Sequence, residues 1–107
     1  MIFIVQKFET RPDWTRRWPG LVERFTAATR AEPGNLWFDW ALSLENPAVY
    51  VLVAAFRDAE ADAAHVNSEH FKQALREMPR ALAATPKILN LTIDATGWSE
   101  VAELKIN

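Results

Sequence analysis

The chain has no cysteine, so neither a disulfide framework nor a thiolate metal site can form, and a reducing, cytoplasmic setting is the simplest expectation. Glycine is scarce. The three glycines, at 20, 34 and 97, supply no glycine-rich loop of the kind that cradles a phosphate or a dinucleotide. Positive charge is not in excess: 12 basic against 14 acidic residues give a formal charge of −2. The cations are scattered rather than striped, which argues against nucleic acid as a partner. No apolar run reaches the ~18 residues that cross a bilayer, so no membrane partner is expected. Met1-Ile2-Phe3-Ile4-Val5 lacks a basic flank and runs into Gln6-Lys7, so it reads as a strand rather than a leader. Paired carboxylates, a Ser-His-Asp order and metal-ligand spacing are also absent in convincing form. Neither a metal nor a cofactor is expected.

What is present fits one domain. With 107 residues, half of them apolar, the chain can build a single core and has no room for a second. Ile2 to Phe8 is β-branched and aromatic and reads as a strand. From Asp13 the period changes: Trp14, Trp18, Leu21, Val22, Phe25, Ala28 and Thr29 recur at three- and four-residue steps, as in an amphipathic helix ending near Ala31. Pro19-Gly20 predicts a kink in that helix, or its true start at Pro19. Asn35 to Ser43 and Val49 to Phe56 alternate as strands around the turn Glu45-Asn46-Pro47-Ala48. Asp58 and Ser68 are N-caps for two further helices, through Val66 and Met78. Pro79 suits a short turn, and Lys87 to Ile93 reads as the last clear strand. The order is βαββαβ, the ferredoxin-like α+β pattern with an antiparallel sheet. Val101 to Ile106 would add an edge strand or an arm.

Helices on one side of such a sheet leave its other face bare. Both alternating sets of the third strand are apolar, Val49, Val51, Val53 and Ala55 against Tyr50, Leu52, Ala54 and Phe56. A second copy packed sheet to sheet is the simplest cover.

His65 and His70 are the only histidines. Imidazole has an unperturbed pKa near ~6.5 and exchanges protons at neutral pH, which makes the pair the first candidates for chemistry. Five residues apart, with Ser68 separating two helices, they do not share one helix face as an i, i+4 metal pair would. Each also has a plain structural reading as a polar residue at a helix end. Among the five tryptophans, Trp14 and Trp18 belong to the apolar helix face and read as core. Trp37 and Trp40 fall on opposite strand faces, so one should line a helix-side cavity and the other should meet a partner. Trp98 would anchor the tail.

Glu32-Pro33-Gly34, the run Val51-Leu52-Val53 leading to Phe56-Arg57-Asp58, and Ala64-His65 followed by Ser68, His70 and Phe71 together resemble the antibiotic biosynthesis monooxygenase family. The resemblance covers about residues 1–94 as the ferredoxin-like domain, leaving 95–107 as a tail of that domain or of a dimer interface. It implies a homodimer in which two sheets form a dimeric α/β barrel. The family includes quinol and anthrone oxygenases that use O₂ without metal or flavin, haem-degrading enzymes and an isomerase of signalling molecules. Leu52 and Phe56 stand where the anthrone oxygenases resemble one another in carrying Asn and Trp. Leu75, and Val5 or Lys7, stand where the haem degraders carry His and Asn. Both sets of polar handles are therefore missing, and the quinol-monooxygenase-like branch is what the resemblance leaves. It implies a cofactor-independent monooxygenase acting on a small aromatic or quinol substrate with O₂. His65 would be the base, Asn67 or His70 a hydrogen-bonding helper, and Trp37, Phe38, Trp40 and Phe56 the pocket walls. A dimeric binding or isomerising module without oxygenase activity is the alternative, and a non-catalytic dimer with a filled core is the third reading.

Overall fold

The β-branched and aromatic run at the start of the chain becomes the inner strand β1, Ile2–Glu9, in the computed structural model, which describes all 107 residues. It pairs antiparallel with β3, Val49–Phe56, on one side and with β4, Lys87–Thr92, on the other. Strand β2, Asn35–Leu42, completes a four-stranded sheet in the order β2-β3-β1-β4. The β2–β3 hairpin is closed by side chains of its loop: Ser43 Oγ accepts the Asn46 N–H at 3.1 Å, and Asn46 Oδ1 accepts the Ala48 N–H at 3.1 Å. This is the antiparallel ferredoxin-like α+β arrangement. One irregularity breaks the expected alternation. The register shifts between Asn35 and Trp37, and Leu36 is left largely exposed instead of facing the core.

The first helical segment divides at its proline. A turn over Pro12–Trp14 leads to the one-turn helix α1, Trp18–Leu21, with Pro19 in its opening turn, and then to α2, Glu23–Arg30. Pro tolerates the first turn because its missing N–H has no intrahelical partner there. The buried stripe is Trp18, Val22, Thr26 and Thr29, while Trp14 and Phe25 are only partly covered. Asp58 and Ser68 cap α3, Ala59–Val66, and α4, Glu69–Glu77, and Met78–Ala81 forms the short turn after it.

All helices lie on one side of the sheet. Ile2, Ile4, Phe8, Phe38, Tyr50, Leu52, Ala54 and Phe56 point toward them and form most of the core. The opposite face carries Phe3, Val5, Trp37, Val51 and Val53, all half-buried, together with the exposed Leu89 and Leu91 of β4. Of the edge strand or arm expected at the C-terminus, the strand does not form. Residues 97–107 contain only a short turn at Ala102–Leu104, and the tail meets the sheet through Trp98, whose ring lies 5.1 Å from that of Trp37. Val101, Leu104 and Ile106 join no strand and remain exposed.

Candidate functional site

The site is assembled from three chain segments, each fixed by a local device. The Asp58 side chain accepts the Ala61 N–H at 2.8 Å, setting the start of α3 and placing His65 in its last turn. That bond, followed by the neighbouring Arg57, lowers the Asp58 carboxyl below its ordinary value, and the group is solvent-facing, so this is a cap. Ser68 then joins the two helices. Its Oγ donates to the His65 carbonyl at 2.6 Å and accepts the Phe71 N–H at 3.2 Å, so α4 starts directly under the end of α3 with His70 in its first turn. Gly34 sets the third distance: a Cβ built there would lie 2.3 Å from the Ala61 Cβ. Only glycine lets the chain entering β2 come this close to α3. Ala61 and His65 are one helical turn apart on the same face, so the close approach also brings Glu32 to His65.

The Glu32 carboxylate sits between the two histidines. Its Oε2 lies 2.8 Å from His65 Nδ1 and 2.5 Å from His70 Nε2. The side chains of Glu32 and His65 are only 14% and 7% exposed, that of His70 25%, and no Lys or Arg pairs with Glu32. A carboxylate oxygen only accepts, so in the neutral rings the network assigns the proton of His65 to Nδ1 and that of His70 to Nε2. His65 Nε2 is left without a protein partner and is not sealed from its surroundings. The ring of His65 is packed among Phe56 at 4.8 Å, Phe71 at 5.1 Å, Phe25 at 5.7 Å and Phe38 at 6.1 Å between centroids.

Beside this ring a cavity of about 310 Å³ opens between sheet and helices. Phe25, Phe38, Leu52, Phe71, Leu75 and Met78 supply much of its apolar wall, with Gln6 and His65 as its polar members. A smaller void of about 90 Å³ adjoins it at His65, against Phe56 and Asn90. The volume is at the lower end of ligand pockets, enough for a compact aromatic molecule. A wider groove of about 500 Å³ over Pro19, Gly20, Ala27 and Arg30 is more open and has no imidazole on its wall, so it lacks an acid–base group suited to neutral pH.

Comparison with known proteins agrees with the fold and the motifs. The model of the family described as antibiotic biosynthesis monooxygenase matches residues 1–77 of the 107. The chain belongs to this family. Among solved structures, candidate antibiotic biosynthesis monooxygenases from Nitrosomonas europaea, Caulobacter crescentus CB15 and Deinococcus radiodurans share the fold. The first is 22% identical with a TM-score of 0.79, over 86% of this chain and 97% of its own. The second is 22% identical at 0.81, over 87% and 90%. The third is 17% identical at 0.82, over 94% and 99%. No curated protein matches the sequence.

Within this family fold the residues singled out by sequence divide into two groups. His65 and Phe38 line the main cavity, Phe56 flanks His65 from the smaller one, and His70 joins through Glu32. Trp37, Trp40 and Asn67 do not reach the cavity. Trp37 lies on the opposite sheet face beneath Trp98, because the register sends odd-numbered residues of β2 outward. Trp40 takes the helix-side position but packs next to Phe8 and Trp18, its Nε1 donating to Thr26 Oγ1 at 2.9 Å, and it borders the wider groove rather than the cavity beside His65. Asn67 is exposed at the end of α3 and donates back to the Ala63 carbonyl at 2.9 Å. His65 and His70 occupy separate helices, as the position of Ser68 implied, and the tight Ser68 junction brings their ring centroids to 6.0 Å. Sequence reasoning missed Glu32 as a site residue, as well as Phe25 and Phe71. Glu32 carried a signal, because an acid just beyond a helix C-terminus opposes the macrodipole and needs another partner.

Proposed function

We propose that the protein is a cofactor-independent monooxygenase that oxidises a small phenolic or quinol substrate with O₂, using His65 as its base. The observation that carries this reading is the pairing of His65 Nδ1 with buried Glu32 while Nε2 remains unpartnered in a residue that lines the 310 Å³ apolar cavity. Glu32 holds the imidazole in the tautomer whose Nε2 has a free lone pair and stabilises the imidazolium that forms when this atom takes a proton. Deprotonating a phenol makes the substrate electron-rich enough to transfer an electron to O₂, so the substrate itself supplies the reducing equivalents. Apolar walls keep water from the reactive intermediate. Leu52 and Leu75 stand on the cavity wall and Phe56 in the adjoining void, so the polar groups of the anthrone and haem branches have no counterpart there.

The reading includes a second copy of the chain. Phe3, Val5, Val51 and Val53 share the helix-free face with exposed Leu89 and Leu91, and sheet-to-sheet pairing about a two-fold axis would cover them. Sedimentation at micromolar concentration should give a dimer, and Val53→Asp should dissociate or unfold it, because an unpaired buried charge is strongly destabilising.

Oxygen uptake with a panel of quinols and phenols tests the chemistry. His65→Ala should lower the rate by the ~10²–10⁴-fold typical of a lost general base while the circular dichroism spectrum stays native. Undiminished uptake by this variant would remove His65 from the mechanism. Aromatic ligand binding without uptake for any substrate would replace the oxygenase with a binding or isomerising module.

A further inference from the structure

Glu32, His65 and His70 each offer one donor atom, and the three atoms lie within 4.8 Å of one another. The two ring nitrogens are aimed at a common point. Each is within hydrogen-bonding distance of the same oxygen, at 2.8 and 2.5 Å, and that oxygen has no Lys or Arg partner competing for it. If each ring moves its proton to its other nitrogen, two lone pairs converge where Glu32 Oε2 now sits. A metal ion at that point, with the carboxylate drawn back by roughly the ~2 Å of a metal–oxygen bond, would gain all three ligands. His65 ends α3 and His70 opens α4, while Glu32 lies in the turn between α2 and β2, where its N–H donates to the Thr29 carbonyl at 3.0 Å and its carbonyl accepts the Asn35 N–H at 3.1 Å. His70, the most exposed of the three at 25%, provides a route in from solvent.

The donor set selects the ion. Two imidazoles and one carboxylate suit a first-row transition ion such as Zn²⁺, Co²⁺ or Fe²⁺, whereas Ca²⁺ and Mg²⁺ prefer oxygen-only shells. We infer that Glu32, His65 and His70 form a binding site for a divalent first-row transition ion, and that the bound ion prevents His65 from acting as a base. The first half stands on the donor geometry; the second rests on the base assignment proposed above. An ion on His65 Nδ1 leaves the single proton of the neutral ring on Nε2, the atom that must be free to accept a proton from the substrate. For His65 the proton passes from Nδ1 to Nε2, and for His70 from Nε2 to Nδ1, through water. No net proton is released, and the ion keeps its oxidation state.

Metal-stripped full-length protein provides the test. Titration with Co²⁺, followed by visible absorption, should show one ion per chain with nitrogen–oxygen ligation. Glu32→Gln and His70→Ala should each weaken binding by more than the ~10–100-fold that losing an outer-shell partner costs, with circular dichroism reporting that both variants fold. With Zn²⁺, long-range proton–nitrogen NMR should show His65 Nε2 changing from an unprotonated to a protonated nitrogen. No Co²⁺ binding up to millimolar concentration, or equal binding in both variants, would overturn the site. Zn²⁺ should also suppress oxygen uptake reversibly on chelation, and the suppressed fraction should fall in His70→Ala. Ion binding at these residues with undiminished uptake would keep the site but overturn the inhibition, and with it the role of His65 as base.

Discussion

The space between helices and sheet has two ends, both rich in aromatic rings: one packs ring on ring beneath the wider groove, and the other leaves a cavity open beside His65. At one end Phe8, Trp18, Trp40 and Tyr50 pack with centroid distances of 5.1 to 6.1 Å, and Tyr50 donates its hydroxyl proton to the Thr15 carbonyl at 2.8 Å. At the other, Phe25, Phe38, Phe56 and Phe71 surround His65, yet about 310 Å³ stays open beside them. The difference lies in what the rings enclose. At the first end the Trp40 indole and the Tyr50 hydroxyl reach neutral partners, the Trp18 Nε1 is buried without one, and the rings stack on one another beneath the wider groove. At the open end the ring at the centre is an imidazole tied to a carboxylate, and Ala74, on the cavity wall, is too small to fill the space. Aromatic density alone therefore does not distinguish a core from a pocket.

Several substitutions would break or sharpen this contrast. The largest effect is expected for Trp18→Ala, since the side chain is fully buried: a loss of about 3–5 kcal/mol in denaturant unfolding, as for other buried aromatic truncations. A loss below about 1 kcal/mol would mean that the end is not tightly packed. Next come two matched enlargements. Ala81→Leu enters the fully buried part of the core and should cost about 1–3 kcal/mol, whereas Ala74→Leu has the cavity to grow into and should cost less while abolishing aromatic ligand binding. Equal costs at the two alanines would erase the distinction. Gly34→Ala drives a methyl group into Ala61 and should destabilise the protein by about 1–3 kcal/mol; because α3 must shift, Glu32 and His65 should also separate, visible as a change in the His65 ring signals.

Smaller effects lie outside the two ends. Deleting residues 97–107 uncovers Trp37 and should lower the melting temperature by a few degrees at most, since Trp98 is its only aromatic contact and is itself largely exposed. Asp58 should give a faint acid dependence. Its carboxyl is lowered first by the Ala61 N–H and then by Arg57, so the cap contributes above the ordinary value of 3.8 and fades as pH falls through the lower folded value. Asp58→Asn should remove that component from acid unfolding curves while keeping an acceptor for the cap.

Local chemistry made most of the fold legible. The caps Asp58 and Ser68, the turn at Asn46-Pro47 and the alternation of β3 each act over a few residues, and their elements appear where these signals lie. Pro19 marked the break in the first helix for the same reason. For the tail the sequence left an edge strand or an arm open, because an apolar pattern states that a segment could pair but not that it does, and the structure has no strand there. Residues 97–107 form no strand, and Trp98 rests on the sheet face against Trp37.

By itself, the sequence determined the order of strands and helices, the one-sided covering of the sheet and the prominence of His65, since these follow from periodicity, capping and residue chemistry within short windows. Only the tertiary structure decided that Glu32 joins the two histidines, that Trp40 packs beside Phe8 and Trp18, and that Asn67 stays outside. Glu32 is 33 residues from His65 and 38 from His70, and their meeting depends on the close approach at Gly34, the Ser68 junction and the register of β2 acting together. Those are long-range packing relations, and no spacing along the chain encodes them.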